Sequence, residues 1–91
     1  MIILDIIYPV FNKIEGEFLG TVKLKHEINR DAEYLLLNID NISSPVRLQI
    51  CNAYGKSYNE EVLCSSITLL FVELYSYSED EQKDIIKFLN S

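Results

Sequence analysis

Hydrophobic and polar residues alternate regularly between Phe18 and Ile28. Apolar or small residues occupy every second position, and charged residues such as Lys23 and Glu27 lie between them. Because successive side chains of a strand point to opposite faces of a sheet, a period of two over this length predicts a half-buried strand with its charges toward solvent. His26 falls on the apolar face of that strand.

Strands are also predicted on either side of this segment. Residues 2–8 are almost entirely apolar and rich in β-branched side chains, as in a strand buried on both faces, and Pro9 is expected to end it. A short buried helix is the alternative for this run. Residues 10–14 predict a second strand or a continuation of the first, Glu15-Gly16 a turn, and residues 32–39 a further strand. Strands joined so closely are expected to pair as antiparallel neighbours.

The second half of the chain carries signals of helix starts and ends. Ser44 and Pro45 combine a capping hydroxyl with a proline at the first helical position. Gly55 is a typical residue to end that helix after about Tyr54. These signals predict a first helix that begins near residue 45.

A second helix is predicted to start at Ser57 or Asn59. Five apolar residues at helical spacing form its main stripe: Leu63, Ile67, Leu70, Phe71 and Leu74. Residues 66–77 are also rich in β-branched and aromatic side chains, so a strand is the alternative there. The sequence Ser78-Glu79-Asp80-Glu81 matches a capping box and predicts a final short helix.

Together these elements predict an α+β fold in a single domain of residues 1–91. Residues 1–40 are expected to form an N-terminal antiparallel β-meander of three or four strands. Residues 43–91 are expected to form two or three helices packed on one face of that sheet.

Charge is distributed unevenly over the 91 residues. Fourteen acidic and eight basic side chains give a formal net charge of −6. Residues 57–91 hold seven acids and two bases, a net charge of 2 − 7 = −5, and contain no lysine or arginine before Lys83. Because the basic residues are scattered along the chain, no direct nucleic-acid ligand is expected.

The sequence contains no candidate membrane span or secretory signal. The longest dense apolar stretch, residues 67–72, is far shorter than the roughly 20 residues that a span requires, and Asp5 interrupts the apolar N-terminus. We therefore expect a cytoplasmic protein without a membrane partner. Cys51 and Cys64 are then expected to be reduced thiols rather than a disulfide.

Residues that could carry catalysis are few. His26 is the only histidine, and the spacing of the two cysteines does not indicate a thiol–imidazole dyad with it. The cysteines form no C-x-x-C pair, and three glycines do not build a phosphate-binding loop. We therefore expect no enzymatic activity, metal or cofactor, and interpret His26 as a structural residue of the sheet.

Tyrosines and carboxylates instead predict a protein-binding surface in the C-terminal third. Tyrosine buries apolar area and keeps a polar tip, which favours it at interfaces. The predicted partner-binding residues are Tyr54, Tyr58, Glu60, Glu61, Glu73, Tyr75, Tyr77, Glu79, Asp80 and Glu81. A second apolar stripe on the long helix, at Val62, Leu69 and Val72, would be covered by the last helix, by a partner, or by a second copy of the chain in a homodimer.

Three segments of the chain carry a family resemblance. The element Pro9-Val10-Phe11-Asn12-Lys13-Ile14 is followed by Gly20-Thr21-Val22-Lys23-Leu24 and later by Ser44-Pro45 with Gln49. This arrangement resembles a group of small bacterial domains of unknown function, some of which accompany polymorphic toxins as immunity proteins. That group has a Pro-x-Phe-Gly-x-Ile element, so Asn12 stands in place of a glycine. The resemblance implies strands first, helices after, and a stoichiometric inhibitor rather than an enzyme.

Three functions are compatible with these features. The one that we expect is a small acidic binding protein that inhibits a cognate effector by occlusion, as an immunity protein inhibits a bacterial toxin, with its carboxylates against a basic surface. The second is a phage- or plasmid-encoded nucleic-acid mimic that inhibits a host nuclease or defence complex. The third is a homo-oligomeric structural or accessory subunit.

Overall fold

Five strands and one α-helix make up the part of the chain that the structure describes. The computed structural model describes residues 4–26, 34–52 and 68–91. A single 3₁₀ turn at Leu74–Ser76 leads into the helix α1 (Glu79–Leu89). The strands are β1 (Leu4–Asn12), β2 (Phe18–His26), β3 (Tyr34–Leu37), β4 (Val46–Asn52) and β5 (Thr68–Val72).

The strands form one mixed sheet in the order β2-β1-β5-β4-β3. β1 pairs antiparallel with β2, and β4 pairs antiparallel with both β3 and β5, whereas β1 and β5 run parallel in the centre. The predicted meander of N-terminal strands followed by two or three helices is therefore wrong. Two of the strands, β4 and β5, come from residues 43–91, which the sequence pattern predicts to be mainly helical.

β4 replaces the first predicted helix, and its side-chain pattern explains why. Val46, Leu48 and Ile50 are 1%, 1% and 3% exposed, while Arg47 and Gln49 between them lie on the opposite side of the sheet. In a helix the three apolar side chains would be spread around the axis, but a strand buries all of them on one face. This burial outweighs the capping and proline signals that precede the strand.

β5 replaces the end of the second predicted helix and agrees with the strand alternative for that segment. It lies between β1 and β4, so both of its edges pair with neighbouring strands. Leu70 and Val72 are 1% and 0% exposed on the face toward α1, and Leu69 and Phe71 are half-buried on the other face. The start of that predicted helix, residues 57–67, lies outside the described residues.

β1 continues through Pro9 to Asn12, so Pro9 does not end the strand as predicted, and the alternative that the following residues continue it agrees with the structure as far as Asn12. The described pairing of β1 with β5 begins at Val10, directly after Pro9. The missing N–H of the proline therefore lies outside that ladder, which removes the usual objection to proline in a central strand.

A β-bulge in β2 changes the predicted alternation at the start of the strand. Val10 pairs with Gly20 and Phe11 with Phe18, which leaves Leu19 as an extra residue. Leu19 turns toward the core and is 8% exposed, whereas Phe18 turns outward and is 56% exposed. Alternation alone predicts Phe18 and Gly20 on one face, and that part of the prediction is wrong.

The helix α1 packs across the inner face of the sheet, the face that carries the core. Ile85 and Leu89 are 1% and 3% exposed and pack with buried side chains of β1, β2, β4 and β5. Just before α1, the Tyr77 hydroxyl donates to a backbone carbonyl oxygen next to the start of β4 (3.2 Å). Just after α1, Asn90 Nδ2 donates to the Leu19 carbonyl oxygen of β2 (2.7 Å). The helix therefore crosses the sheet from the β4 side to β2.

Gly20 allows the end of α1 to approach β2 closely. A Cβ atom at this position would lie 2.5 Å from the Leu89 carbonyl oxygen and 2.7 Å from Leu89 Cβ, and the φ of Gly20 is +153°. Both the contact and the backbone conformation exclude a side chain. The Asn90 amide closes the same junction, because its acceptor is the carbonyl of Leu19, the extra residue of the bulge.

Candidate binding surface

One end of the sheet collects acidic side chains from separate connections. β1 ends and β2 begins there, and the pairing directions bring the end of β3, the start of β4 and the end of β5 to the same place. We call its five exposed carboxylates the acidic end: Glu15, Glu17, Asp40, Glu79 and Asp80. Within residues 4–26, 34–52 and 68–91, none of the five forms an ion pair.

The turn between β1 and β2 holds two of these carboxylates. The Asn12 N–H donates to the Glu17 carbonyl oxygen, and the Gly16 N–H donates to the Asn12 carbonyl oxygen, both at 2.8 Å. Gly16 has a φ of +65°, which glycine adopts without strain. The predicted turn at Glu15-Gly16 is confirmed, and it holds Glu15 and Glu17 on a closed, hydrogen-bonded loop.

Two further carboxylates lie in the first turn of α1, and the predicted final helix is confirmed. The Ser78 hydroxyl accepts from the Glu81 N–H, and the Glu81 carboxylate accepts from the Ser78 N–H, both at 3.2 Å. This capping box engages Glu81, so Glu79 and Asp80 are the first-turn acids that remain exposed. The positive end of the helix dipole stabilises them there.

Glu73 is a paired carboxylate and does not belong to the acidic end. Its Oε1 accepts a hydrogen bond from Lys13 Nζ at 2.9 Å, and its Oε2 accepts one from the Ser76 hydroxyl at 3.4 Å. The hydrogen bond from Lys13 and the charge of its ammonium hold the pKa of Glu73 below the ordinary value. The Glu73 charge is thus balanced within the chain.

The two described tyrosines of the predicted surface differ in their roles. The Tyr77 hydroxyl donates to the Pro45 carbonyl oxygen (3.2 Å) and accepts from the Arg47 backbone N–H (3.1 Å), and its ring packs against the core. Tyr77 therefore ties the start of α1 to β4 and has a structural role. Tyr75 is 59% exposed on the 3₁₀ turn, beside the first turn of α1.

Four further residues of the predicted partner-binding surface lie outside the described residues: Tyr54, Tyr58, Glu60 and Glu61. The same holds for Val62 of the predicted apolar stripe. Its other members do not share a face, because Val72 is 0% exposed in the core and Leu69 points to the opposite side of the sheet. That stripe assumed helical spacing, and in a strand residues three apart lie on opposite faces.

Chemistry-bearing side chains are sparse in the described part of the chain. No group of three or more potential metal-ligating side chains occurs there. Cys51 is a free thiol that is 3% exposed, and burial raises its pKa, which keeps it protonated at neutral pH. His26 is the last residue of β2, and Cys64 lies outside the described residues.

Among the helices that the structure describes, none has the length and apolar character needed to cross a membrane.

Three members of the acidic end are absent from the sequence-based prediction. They are Glu15, Glu17 and Asp40, and they belong to residues 1–56, where seven acids and six bases nearly balance. Because this part of the chain has little net charge, its distribution of charge along the sequence does not single them out. Only the sheet topology brings them to the end that also holds the first turn of α1. A local signal was present, because each lies in a polar connection next to the end of a strand.

No protein-family model, curated protein or solved structure matches the chain. The resemblance to immunity-protein domains therefore stays a prediction.

Proposed function

We propose that the protein is a small binding protein that inhibits a cognate effector by occlusion, as an immunity protein does, and that the acidic end contacts the effector. The observation that carries this proposal is the gathering of five exposed carboxylates at one end of the sheet. None of them has an ion-pair partner within the described part of the chain.

The electrostatics of this end favour a basic partner. Lys13, which follows β1 at this end, is already paired with Glu73, and within the described residues no ion pair joins Lys83, one turn along α1, to Glu79 or Asp80. The exposed carboxylates therefore repel one another, and a basic partner surface would relieve that repulsion. With a net charge of −6, the chain would also attract such a partner from a distance and raise the association rate.

The acidic end is a rigid surface that could cover a basic site on the effector. Four of its five carboxylates sit on a hydrogen-bonded turn or on a capped helix, so their backbone loses little conformational freedom on binding. Tyr75, on the 3₁₀ turn that precedes α1, is an exposed aromatic side chain that can be buried in the interface. A basic surface covered in this way would no longer reach its own anionic ligand.

Affinity capture with matched charge variants tests the proposal. The tagged wild type is compared with Glu79→Gln/Asp80→Asn, which removes two charges from the acidic end, in lysates of the cells that encode the protein. The control Ile7→Lys/Thr21→Lys raises the net charge by the same two units at exposed positions of β1 and β2. We expect the wild type and the control to retain one basic protein at close to equal stoichiometry, and the neutralised variant to retain about tenfold less.

Two outcomes would contradict the proposal. One is equal recovery of the partner by the neutralised variant, which would place the interface elsewhere. The other is an equal loss with the control, which would make net charge rather than the acidic end responsible.

A further inference from the structure

A cavity of about 350 Å³ opens on the outer face of the sheet, opposite α1. Small-molecule sites typically measure about 300–1,000 Å³. Residues in register across three strands form its floor: Tyr34 pairs with Gln49, and Gln49 pairs with Phe71. Neighbouring strands lie about 4.8 Å apart, so this row spans about 10 Å and combines two aromatic rings with one amide.

Charged side chains form a second row beside this floor. Arg47 lies two residues before Gln49 on β4, Glu73 lies two residues after Phe71 at the end of β5, and Lys13 follows β1; all three line the cavity. The two ends of the row differ. Lys13 and Glu73 form an ion pair at 2.9 Å, while Arg47 forms none within the described residues.

The Arg47 guanidinium has hydrogen-bond donors without an acceptor among the described residues. Its guanidinium carbon lies 3.9 Å from the centroid of the Tyr34 ring, a cation–π contact that holds the planar group in place. Its guanidinium has no acceptor among the described residues, so its N–H groups are available to a ligand. The half-buried Gln49 side chain, next to it on the floor, likewise has no hydrogen-bond partner among them.

The charge balance of the cavity selects the kind of anion. Because Glu73 cancels Lys13, the three charged side chains leave one net positive charge, at Arg47. A second negative charge on a ligand would face the Glu73 carboxylate without compensation. A planar carboxylate matches the guanidinium fork through two parallel hydrogen bonds.

We propose that this cavity binds a small planar monocarboxylate, whose carboxylate is held by the Arg47 guanidinium and the Gln49 amide and whose ring or other planar part packs on Phe71. The proposal goes beyond the proposed function and does not depend on it, because the cavity lies on the outer face of the sheet and uses none of the five carboxylates of the acidic end.

Benzoate is the probe that tests this site, and its neutral isostere benzamide is the matched control ligand. In a titration followed by ¹H–¹⁵N NMR, benzoate should shift the Arg47 Nε–H and the Gln49 side-chain amide with a saturable curve. Benzamide should bind about tenfold or more weakly. Equal affinities for the two ligands, or benzoate shifts that do not saturate, would overturn the proposal.

Two variants test whether the Arg47 guanidinium itself binds the carboxylate of the ligand. Arg47→Gln should weaken benzoate about tenfold or more, whereas Lys23→Gln, which removes an exposed cation from β2, should leave the affinity within about twofold. Arg47 is exposed, so this variant is expected to fold, and a thermal melt checks it. Unchanged benzoate binding in Arg47→Gln would refute the assignment.

Glu73→Gln gives a second, independent measurement. Inorganic phosphate should bind the wild type more weakly than benzoate does, and removing the Glu73 charge should raise the phosphate affinity relative to benzoate by about threefold or more. Phosphate that binds the wild type more tightly than benzoate, or a preference that does not change in Glu73→Gln, would show that the cavity does not select a monoanion.

Discussion

Replacing Gly20 by alanine tests the junction between β2 and the end of α1. The new Cβ atom would lie 2.5 Å from the Leu89 carbonyl oxygen, 2.7 Å from Leu89 Cβ and 2.8 Å from the Leu89 carbonyl carbon. Two of these three atoms belong to the backbone, so a change of side-chain rotamer cannot remove the overlap. The helix end must move away from the sheet, and Gly20 must leave a φ of +153° or keep it at a cost.

The expected loss combines two effects. Inserting a methyl group into a packed junction costs about 1–3 kcal/mol, and holding a side chain in a sparsely populated backbone region costs about 1–3 kcal/mol. Gly20→Ala should therefore lower the free energy of unfolding by about 2–6 kcal/mol. Folded domains have roughly 0.05–0.15 kcal/mol of stability per residue, so for 91 residues this loss is a large part of the total.

Gly16→Ala is the matched control, because it makes the same change where there is space. No atom lies within 4 Å of the position its Cβ would take, and only the φ of +65° opposes it. We expect a loss of about 1 kcal/mol, or roughly 4–8 °C in the melting temperature. Urea unfolding followed by circular dichroism measures both variants. A Gly20→Ala protein as stable as Gly16→Ala would refute the close approach of α1 to β2.

Three further changes test single contacts. Tyr77→Phe removes a hydroxyl with two partners and should lower the free energy of unfolding by about 1–2 kcal/mol in urea titrations; equal losses in Tyr77→Phe and Tyr75→Phe would contradict this. Ser78→Ala removes the cap of α1 and should cost about 1 kcal/mol in a thermal melt, and no loss would contradict the capping role. Burial raises the pKa of Cys51 in the folded state, so the unfolded thiol ionises at lower pH than the folded one. The stability of the wild type should therefore fall relative to that of Cys51→Ala as the pH rises above the ordinary thiol pKa. Urea titrations at neutral and alkaline pH measure this difference, and a constant difference would contradict it.

Elements with local signals could be predicted from the sequence. The capping box of Ser78 and Glu81 is contained in four consecutive residues, and Gly16 marks its turn without reference to the rest of the chain. The period-two pattern of β2 likewise needs only its own residues, apart from the bulge at Leu19, which depends on how β1 pairs with it.

β4 shows how two local signals can conflict. The sequence-based prediction rests on Ser44-Pro45, which indicates a helix start, whereas the alternation of Val46, Leu48 and Ile50 is typical of a strand. A capping hydroxyl is worth about 1 kcal/mol, whereas fully burying one aliphatic side chain is worth about 1.5–3 kcal/mol. Burial of three such side chains on one face therefore decides the structure.

The acidic end could not be found by reading along the chain. Its members are up to 80 − 15 = 65 positions apart in the chain. The parallel pairing of β1 with β5 brings the β1–β2 turn to the same end of the sheet as the start of α1. No local pattern specifies that long-range pairing. The predicted acidic third includes Glu79 and Asp80, which are exposed. It also includes Glu73, whose partner Lys13 lies sixty positions away.

The association rate of the captured partner, measured at low and at high salt, tests the central claim most directly. Long-range attraction between the acidic end and a basic surface is screened by salt. We expect the rate for the wild type and for Ile7→Lys/Thr21→Lys to fall about tenfold or more as salt is raised. Glu79→Gln/Asp80→Asn should associate more slowly at low salt and change less. A wild-type rate that does not depend on salt, or a neutralised variant that associates as fast as the wild type, would contradict the account.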